Sequence, residues 1–129
     1  MKNVLLLGAT GSIGESVLSV ISQNKESLNL LGVSFNKNVL RFQEILKEHS
    51  PDYVYIENHA SFKSLCNKDK ERYLNGDDEL ERLINRDDVD IIVCATSGFA
   101  GLKTAYIASK TGKKILLANK ESIVAGGDV

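Results

Sequence analysis

The 129-residue chain is 43% apolar and 26% charged with a formal charge of −1, the balance of a globular domain that meets water. It has no dense basic block to neutralise nucleic-acid phosphates, and no apolar run approaches the ~20 residues of a membrane span, so neither a nucleic acid nor a membrane is expected as a partner. Met1-Lys2 runs straight into an apolar segment, which reads as leaving no room for a signal peptide. The two cysteines, Cys66 and Cys94, suggest neither a disulfide scaffold nor a zinc site, so a cytoplasmic, reduced protein is the simplest expectation.

Asn3 to Leu7 is a short continuous apolar run closed by Gly8, the pattern of a buried strand. Ser12 to Gln23 follows as a helix, with Ile13, Val17, Val20 and Ile21 expected on its inner face. Leu30 to Phe35 is the second strand. Asn38 is placed to cap a helix running to about Glu48, with Val39, Phe42, Ile45 and Leu46 inward, and Ser50-Pro51 stops it. A third strand covers Tyr53 to Ile56, and a short helix Ala60 to Cys66.

Asn67 to Arg72 is polar and reads as exposed. Tyr73-Leu74 is a short strand before the turn Asn75-Gly76-Asp77, and Asp78 is expected to cap a helix carrying Leu80, Leu83 and Ile84. Asp87, Asp88 and Asp90 lack the ligand spacing of a calcium loop and read as a solvated loop. Ile91 to Cys94 is a buried strand followed by the turn Thr96 to Gly101. A helix from Leu102 to Lys110 ends at Gly112, and Ile115 to Ala118 is the last strand. Strands alternating with helices predict an α/β fold, a Rossmann-like doubly wound parallel sheet with helices on both faces in a single domain. A chain of this length buries roughly two-thirds of its unfolded surface, enough for its own core.

Ligands in such sheets bind beyond the C-terminal ends of the strands. Four segments are expected there: Gly8–Gly14, Ser34–Asn38, Ala95–Gly101 and Asn119–Ser122. The first has glycines at 8, 11 and 14 between a strand and an amphipathic helix. Gly8 permits the tight turn, Gly11 lets the backbone approach a diphosphate, and Gly14 lets the helix pack on its strand. Thr10 and Ser12 add hydroxyls, and a row of main-chain amides is expected to stand free at the helix start. The alternative is a plain strand-to-helix turn that uses glycine.

The second segment lacks the Asp or Glu that accepts from an adenosine 2′-hydroxyl. Lys37 offers a cation there, and Ser34, Asn36 and Asn38 offer neutral polar groups, so NADP(H) is favoured over NAD(H). Lys37 as an ordinary surface lysine is the alternative. Ser97 to Gly101 lets a ring or ribose approach the backbone, or else simply packs tightly. Asn119-Lys120-Glu121-Ser122 follows a buried strand and is placed beside the nicotinamide, or is an ordinary strand end. Tyr106 and Lys110 match the Tyr-x-x-x-Lys of short-chain dehydrogenases, but they sit one strand–helix unit too early, and chance on a helix surface is the better account.

With Gly8-Ala-Thr-Gly-Ser-Ile-Gly14, Asn36-Lys37-Asn38 and Leu116-Leu-Ala-Asn-Lys-Glu-Ser122 in this order, the whole chain resembles the NADPH-binding N-terminal domain of the 1-deoxy-D-xylulose 5-phosphate reductoisomerase family. The last motif is the most specific. The resemblance implies an enzyme of non-mevalonate isoprenoid biosynthesis. It rearranges 1-deoxy-D-xylulose 5-phosphate to an aldehyde that NADPH reduces to 2-C-methyl-D-erythritol 4-phosphate, with Mg²⁺ or Mn²⁺ holding substrate oxygens. By position, Thr10, Gly11, Ser12 and Ile13 would hold the pyrophosphate. Lys37 and Asn38, with Asn36 beside them, would hold the 2′-phosphate end. Asn119 and Glu121 would contact the nicotinamide side, and Lys120 the substrate.

Where the family often has glycine, this chain has Asn36. The family's metal ligands, lid and phosphate-binding residues would lie beyond position 129, and Asp128 comes too early to be a metal ligand. The chain is therefore expected to be the leading piece of a longer enzyme that is a homodimer when full length, to bind cofactor, and to be inactive alone. The rival readings are a short-chain dehydrogenase and a non-catalytic dinucleotide-sensing module.

Overall fold

The structure, a computed structural model, describes residues 1–9, 11–36, 39–65, 73–95, 104 and 106–117. The elements are β1 (Lys2–Leu7), α1 (Ser12–Gln23), β2 (Leu28–Phe35), α2 (Val39–Glu48), β3 (Tyr53–Ile56), α3 (His59–Leu65), β4 (Tyr73–Leu74), α4 (Asp77–Ile84), β5 (Ile91–Cys94) and β6 (Lys114–Leu117). Residues 104 and 106–109 are also helical. The strands form one sheet in the order β4-β3-β2-β1-β5-β6, and every neighbouring pair is parallel.

Parallel strands buried on both faces read as unbroken apolar runs, and β1 shows why. Its Val4 and Leu6 point to one side, against Leu18 and Ile21 of α1 and Phe42 and Ile45 of α2. Leu5 and Leu7 point to the other, against Leu80, Leu83 and Ile84 of α4 and Ala108. All four β1 side chains are almost fully buried. Helices thus cover both faces of a Rossmann-like sheet, as the alternating pattern predicts.

One irregularity keeps this layering in phase. Val4 pairs with Leu30, but Leu5 pairs with Gly32, so Leu31 is an extra residue in β2. Side chains alternate strictly along a strand, and an inserted residue reverses the alternation beyond it. Leu30 before the bulge and Val33 and Phe35 after it all face the α1/α2 layer, whereas Leu31 faces α4. Phe35 thereby stacks on Phe42, ring centroids 4.2 Å apart.

Several expectations need correction. The inner face of α1 is Gly14, Leu18 and Ile21, not Ile13, Val17, Val20 and Ile21. Ile13 and Val20 are 37% and 52% exposed, while Val17 packs at the margin of the core. Glycine carries no hydrophobic signal, so the true stripe is invisible to an apolar count. The cap of α4 is Gly76 at φ 96°, not Asp78. Asp77, Asp78 and Glu79 instead fill the first turn, where the helix dipole favours carboxylates. β2 starts at Leu28 instead of Leu30, α3 one residue earlier than Ala60, and β6 spans Lys114–Leu117 instead of 115–118.

The acidic loop does more than meet solvent. The Asn3 amide donates to Asp90 Oδ2 at 2.8 Å, and the Asp90 amide donates back to the Asn3 carbonyl at 2.9 Å, fixing β1 against β5. Asp88 receives both arms of Arg86, at 2.9 and 3.0 Å. Among the described residues no helix is long and apolar enough to cross a membrane.

Candidate functional site

The chain steps from β1 outward to β4, then crosses to β5 on the other flank of β1. The strand order therefore reverses between β1 and β5. A crevice opens beyond the C-terminal ends of strands at such a reversal. The described parts of the expected segments gather there: Gly8, Ala9 and residues 11–14 after β1, Ser34 and Asn36 at the end of β2, and Ala95 after β5.

Gly8 has φ 98°, a left-handed conformation that side chains resist. It turns the chain sharply from β1 toward α1. Gly14 faces that turn so closely that a Cβ there would lie 2.3 Å from the Gly8 carbonyl oxygen and 2.7 Å from that of Ala9. Both neighbours are backbone and cannot swing aside, so only glycine lets α1 sit this close. Gly11 differs. It caps α1 in an extended conformation (φ −82°), and a Cβ on it would meet nothing within 4 Å. The chain's own packing does not require glycine at that position.

The amides of this turn divide into two groups. Gly8 N–H donates to the Ser34 Oγ at 2.8 Å, and Ala9 N–H donates to the Ser34 carbonyl at 2.8 Å. These two donors bind β1 to β2 and cannot serve a ligand, which corrects the expectation of a free row beginning at Gly8. It also takes Ser34 from the list of groups offered to a cofactor, because its side chain is buried in this lock. The first helical bond runs from Glu15 N–H to the Gly11 carbonyl at 2.9 Å. Helix geometry leaves the amides of Ser12, Ile13 and Gly14 ahead of it without intrahelical acceptors. They point out of the helix start with the positive end of its dipole, an arrangement suited to phosphate.

A charged pair stands beside this cradle. Arg41, in the first turn of α2, grips both carboxylate oxygens of Glu15, in the first turn of α1, through its Nε and one terminal nitrogen. Its other terminal nitrogen reaches Glu44 at 3.0 Å. The hydrogen bonds from Arg41 hold the Glu15 carboxyl below the usual carboxylate range, and Glu15 holds the guanidinium above its own. Neither this pair nor the Ser34 lock was expected from sequence. The lock is purely tertiary and leaves no local pattern. Opposite charges in the first turns of two successive helices were a usable signal for the pair.

Tyr106 and Lys110 lie elsewhere. The Lys110 ammonium sits 4.3 Å from the Tyr106 ring centroid on an exposed surface. Lys110 is close before Lys114, which pairs with Ile91 at the start of β5. That is the edge of the sheet opposite the glycine turn, so the pair cannot meet a ligand held there. Cys94 is a free, buried thiol whose pKa is pushed up to about 11 by burial, with a hydrogen bond to Thr104 opposing the shift. No group of three or more His, Cys, Asp or Glu side chains among the described residues could hold a metal ion.

Asn36 is exposed at the end of β2, beside the turn, as are Ser12 and Ile13 at the start of α1. Thr10, Lys37, Asn38, Asn119, Lys120 and Glu121 lie outside the described residues. So do Cys66, Asn67–Arg72, Ser97–Gly101, Leu102 and Asp128.

A family model described as 1-deoxy-D-xylulose 5-phosphate reductoisomerase matches residues 4–127. The chain is 37% identical over 131 residues to the 1-deoxy-D-xylulose 5-phosphate reductoisomerase of Ruthia magnifica subsp. Calyptogena magnifica, covering all of this chain and 34% of the relative. It is 38% identical over 134 residues to that of Clostridium perfringens strain SM101, again covering all of this chain and 35% of the relative. The chain thus spans about a third of the length of these relatives. Among solved structures, a DOX-P reductoisomerase in complex with NADPH, fosmidomycin and magnesium superimposes with a TM-score of 0.86 at 32% identity, over 96% of this chain and 31% of that one. A strand order reversing beside a glycine turn, joined to a match running nearly end to end, places this chain in the 1-deoxy-D-xylulose 5-phosphate reductoisomerase family.

Proposed function

We propose that the chain is the NADPH-binding portion of an enzyme that isomerises and reduces 1-deoxy-D-xylulose 5-phosphate to 2-C-methyl-D-erythritol 4-phosphate. The observation that carries this is the start of α1. Three outward amides, from Ser12, Ile13 and Gly14, stand beside an open space above Gly11 that no protein atom fills. That space fits a diphosphate, which needs close approach to the backbone and donors aimed at its oxygens.

In this reading Gly8 makes the turn, and Thr10, Gly11, Ser12 and Ile13 hold the diphosphate. Asn36, Lys37 and Asn38 take the 2′-phosphate end of the adenosine. β2 ends without a carboxylate, so nothing there repels that phosphate. Asn119 and Glu121 contact the nicotinamide side, and Lys120 contacts the sugar phosphate. When bound, NADPH supplies the hydride. The divalent ion, Mg²⁺ or Mn²⁺, would be held by residues beyond position 129, and no step is routed here through this chain's own carboxylates. The unpaired thiol of Cys94 agrees with a reducing, cytoplasmic setting.

Calorimetric titration of the chain with NADPH and NADH tests the reading. NADPH is expected to bind, and more tightly than NADH. A folded chain that takes up neither nucleotide overturns it. Steady-state NADPH oxidation with the sugar phosphate is expected to show no turnover, and turnover would mean the catalytic groups lie within these 129 residues.

A further inference from the structure

Glu15 is the fourth residue of α1 and Arg41 the third of α2. Each stands one turn beyond a loop at the C-terminal edge of the sheet, and β1 and β2, which feed those loops, are neighbours. The two-pronged bond between them fixes the plane of the guanidinium as well as its place, since the planar fork matches a carboxylate in one geometry only. The pair therefore sets a permanent positive group between the diphosphate cradle and the end of β2. It also answers an electrostatic problem. A bare carboxylate one turn into α1 would repel any phosphate at that helix start, and Arg41 neutralises it.

A phosphate on the adenosine 2′ oxygen would come to rest near the end of β2, where dinucleotide folds read the ribose. Asn36 there carries no charge. We propose that Arg41, oriented by the Glu15 carboxylate, is a specificity-determining residue that favours the 2′-phosphorylated dinucleotide, with Glu15 as its positioning residue. The proposal rests on the dinucleotide reading above. It adds an assignment which that reading does not contain, because Lys37 and Asn38 carry the 2′-phosphate there.

The test is the ratio of NADPH to NADH affinity, measured by calorimetry on the chain and its variants with thermal melts alongside. Both nucleotides share the diphosphate, so a merely structural clamp would weaken both together and leave the ratio alone. Arg41→Gln is expected to lower the ratio about tenfold or more, the scale of a lost charged hydrogen bond. Arg41→Lys, which keeps the charge but not the fork, should recover part of it. Glu15→Gln keeps the guanidinium but loosens it, and should lower the ratio a few-fold. If Arg41→Gln does not fold, Glu15→Gln carries the test by the same ratio. An unchanged ratio in the folded variants, or a wild-type chain that binds both nucleotides equally, overturns the assignment of Arg41 alone. A wild-type chain that binds neither overturns the dinucleotide reading itself.

Discussion

The Gly8 amide donates to the Ser34 hydroxyl at 2.8 Å across 26 residues of sequence. Through this bond the end of one strand dictates where the next strand's neighbouring turn begins. Replacing Ser34 with Ala leaves Gly8 with only the longer 3.3 Å bond to the Ser34 carbonyl. A loss of about 1 kcal/mol in unfolding free energy is expected, the usual net worth of one such bond. Urea denaturation measures it. NADPH affinity should fall a few-fold with it, because the cradle hangs from this turn.

Gly14 and Gly11 separate packing from binding. Gly14→Ala forces a methyl into the Gly8 and Ala9 carbonyls and should cost about 1–3 kcal/mol or more. Gly11→Ala meets open space at an ordinary φ. Its cost should stay within about 1 kcal/mol, since alanine is only a poorer cap than glycine. Yet it should weaken NADPH binding, because the methyl enters the volume assigned to the diphosphate. Paired denaturation and titration of both variants check the contrast. A Gly11→Ala chain that binds as well as wild type would place the diphosphate elsewhere.

His49 makes stability depend on pH. It is buried at the end of α2, its Nε2 3.3 Å from Ser22 Oγ, and burial holds its pKa below the ordinary histidine value, with Lys25 and Arg41 acting in the same direction and Glu48 against it. The folded state thus binds this proton more weakly than the unfolded state does. Stability should be full above about pH 6.5 and decline as pH falls from there toward the lowered folded value. Denaturant midpoints between pH 7.5 and 5 should show this slope, and His49→Gln should flatten it.

Cys94 should be inert in the native state. Its side chain is fully buried and its thiol titrates near 11, so almost no thiolate exists at neutral pH. Iodoacetamide labelling followed by peptide mapping should leave the Cys94 peptide unmodified until denaturant is added. Fast native labelling would mean that β5 opens readily.

The strands were the most legible part of the molecule. β3, β4 and β5 lie where the residue pattern puts them, because parallel strands buried on both faces cannot hide their apolar runs. The inward face of α1 was misread because its closest contact with the sheet is made by Gly14, a residue with no side chain to register. For the same reason the glycine spacing pointed to the site, while the division of its amides between Ser34 and open space did not show. That division depends on which strand lies beside β1, and no local window contains it. Glu15 and Arg41 were each visible as charges on helices, but their pairing needed the sheet order.

The extra leucine in β2 has a consequence for anyone who shortens or grafts this strand. Deleting Leu31 would leave a strand of plausible composition and turn over everything after it. Phe35 would leave its partner ring, and the Ser34 hydroxyl would swing to the helix side and away from Gly8. A single-residue deletion about ten ångströms of strand short of the crevice would thus undo the nucleotide cradle without altering any residue in it.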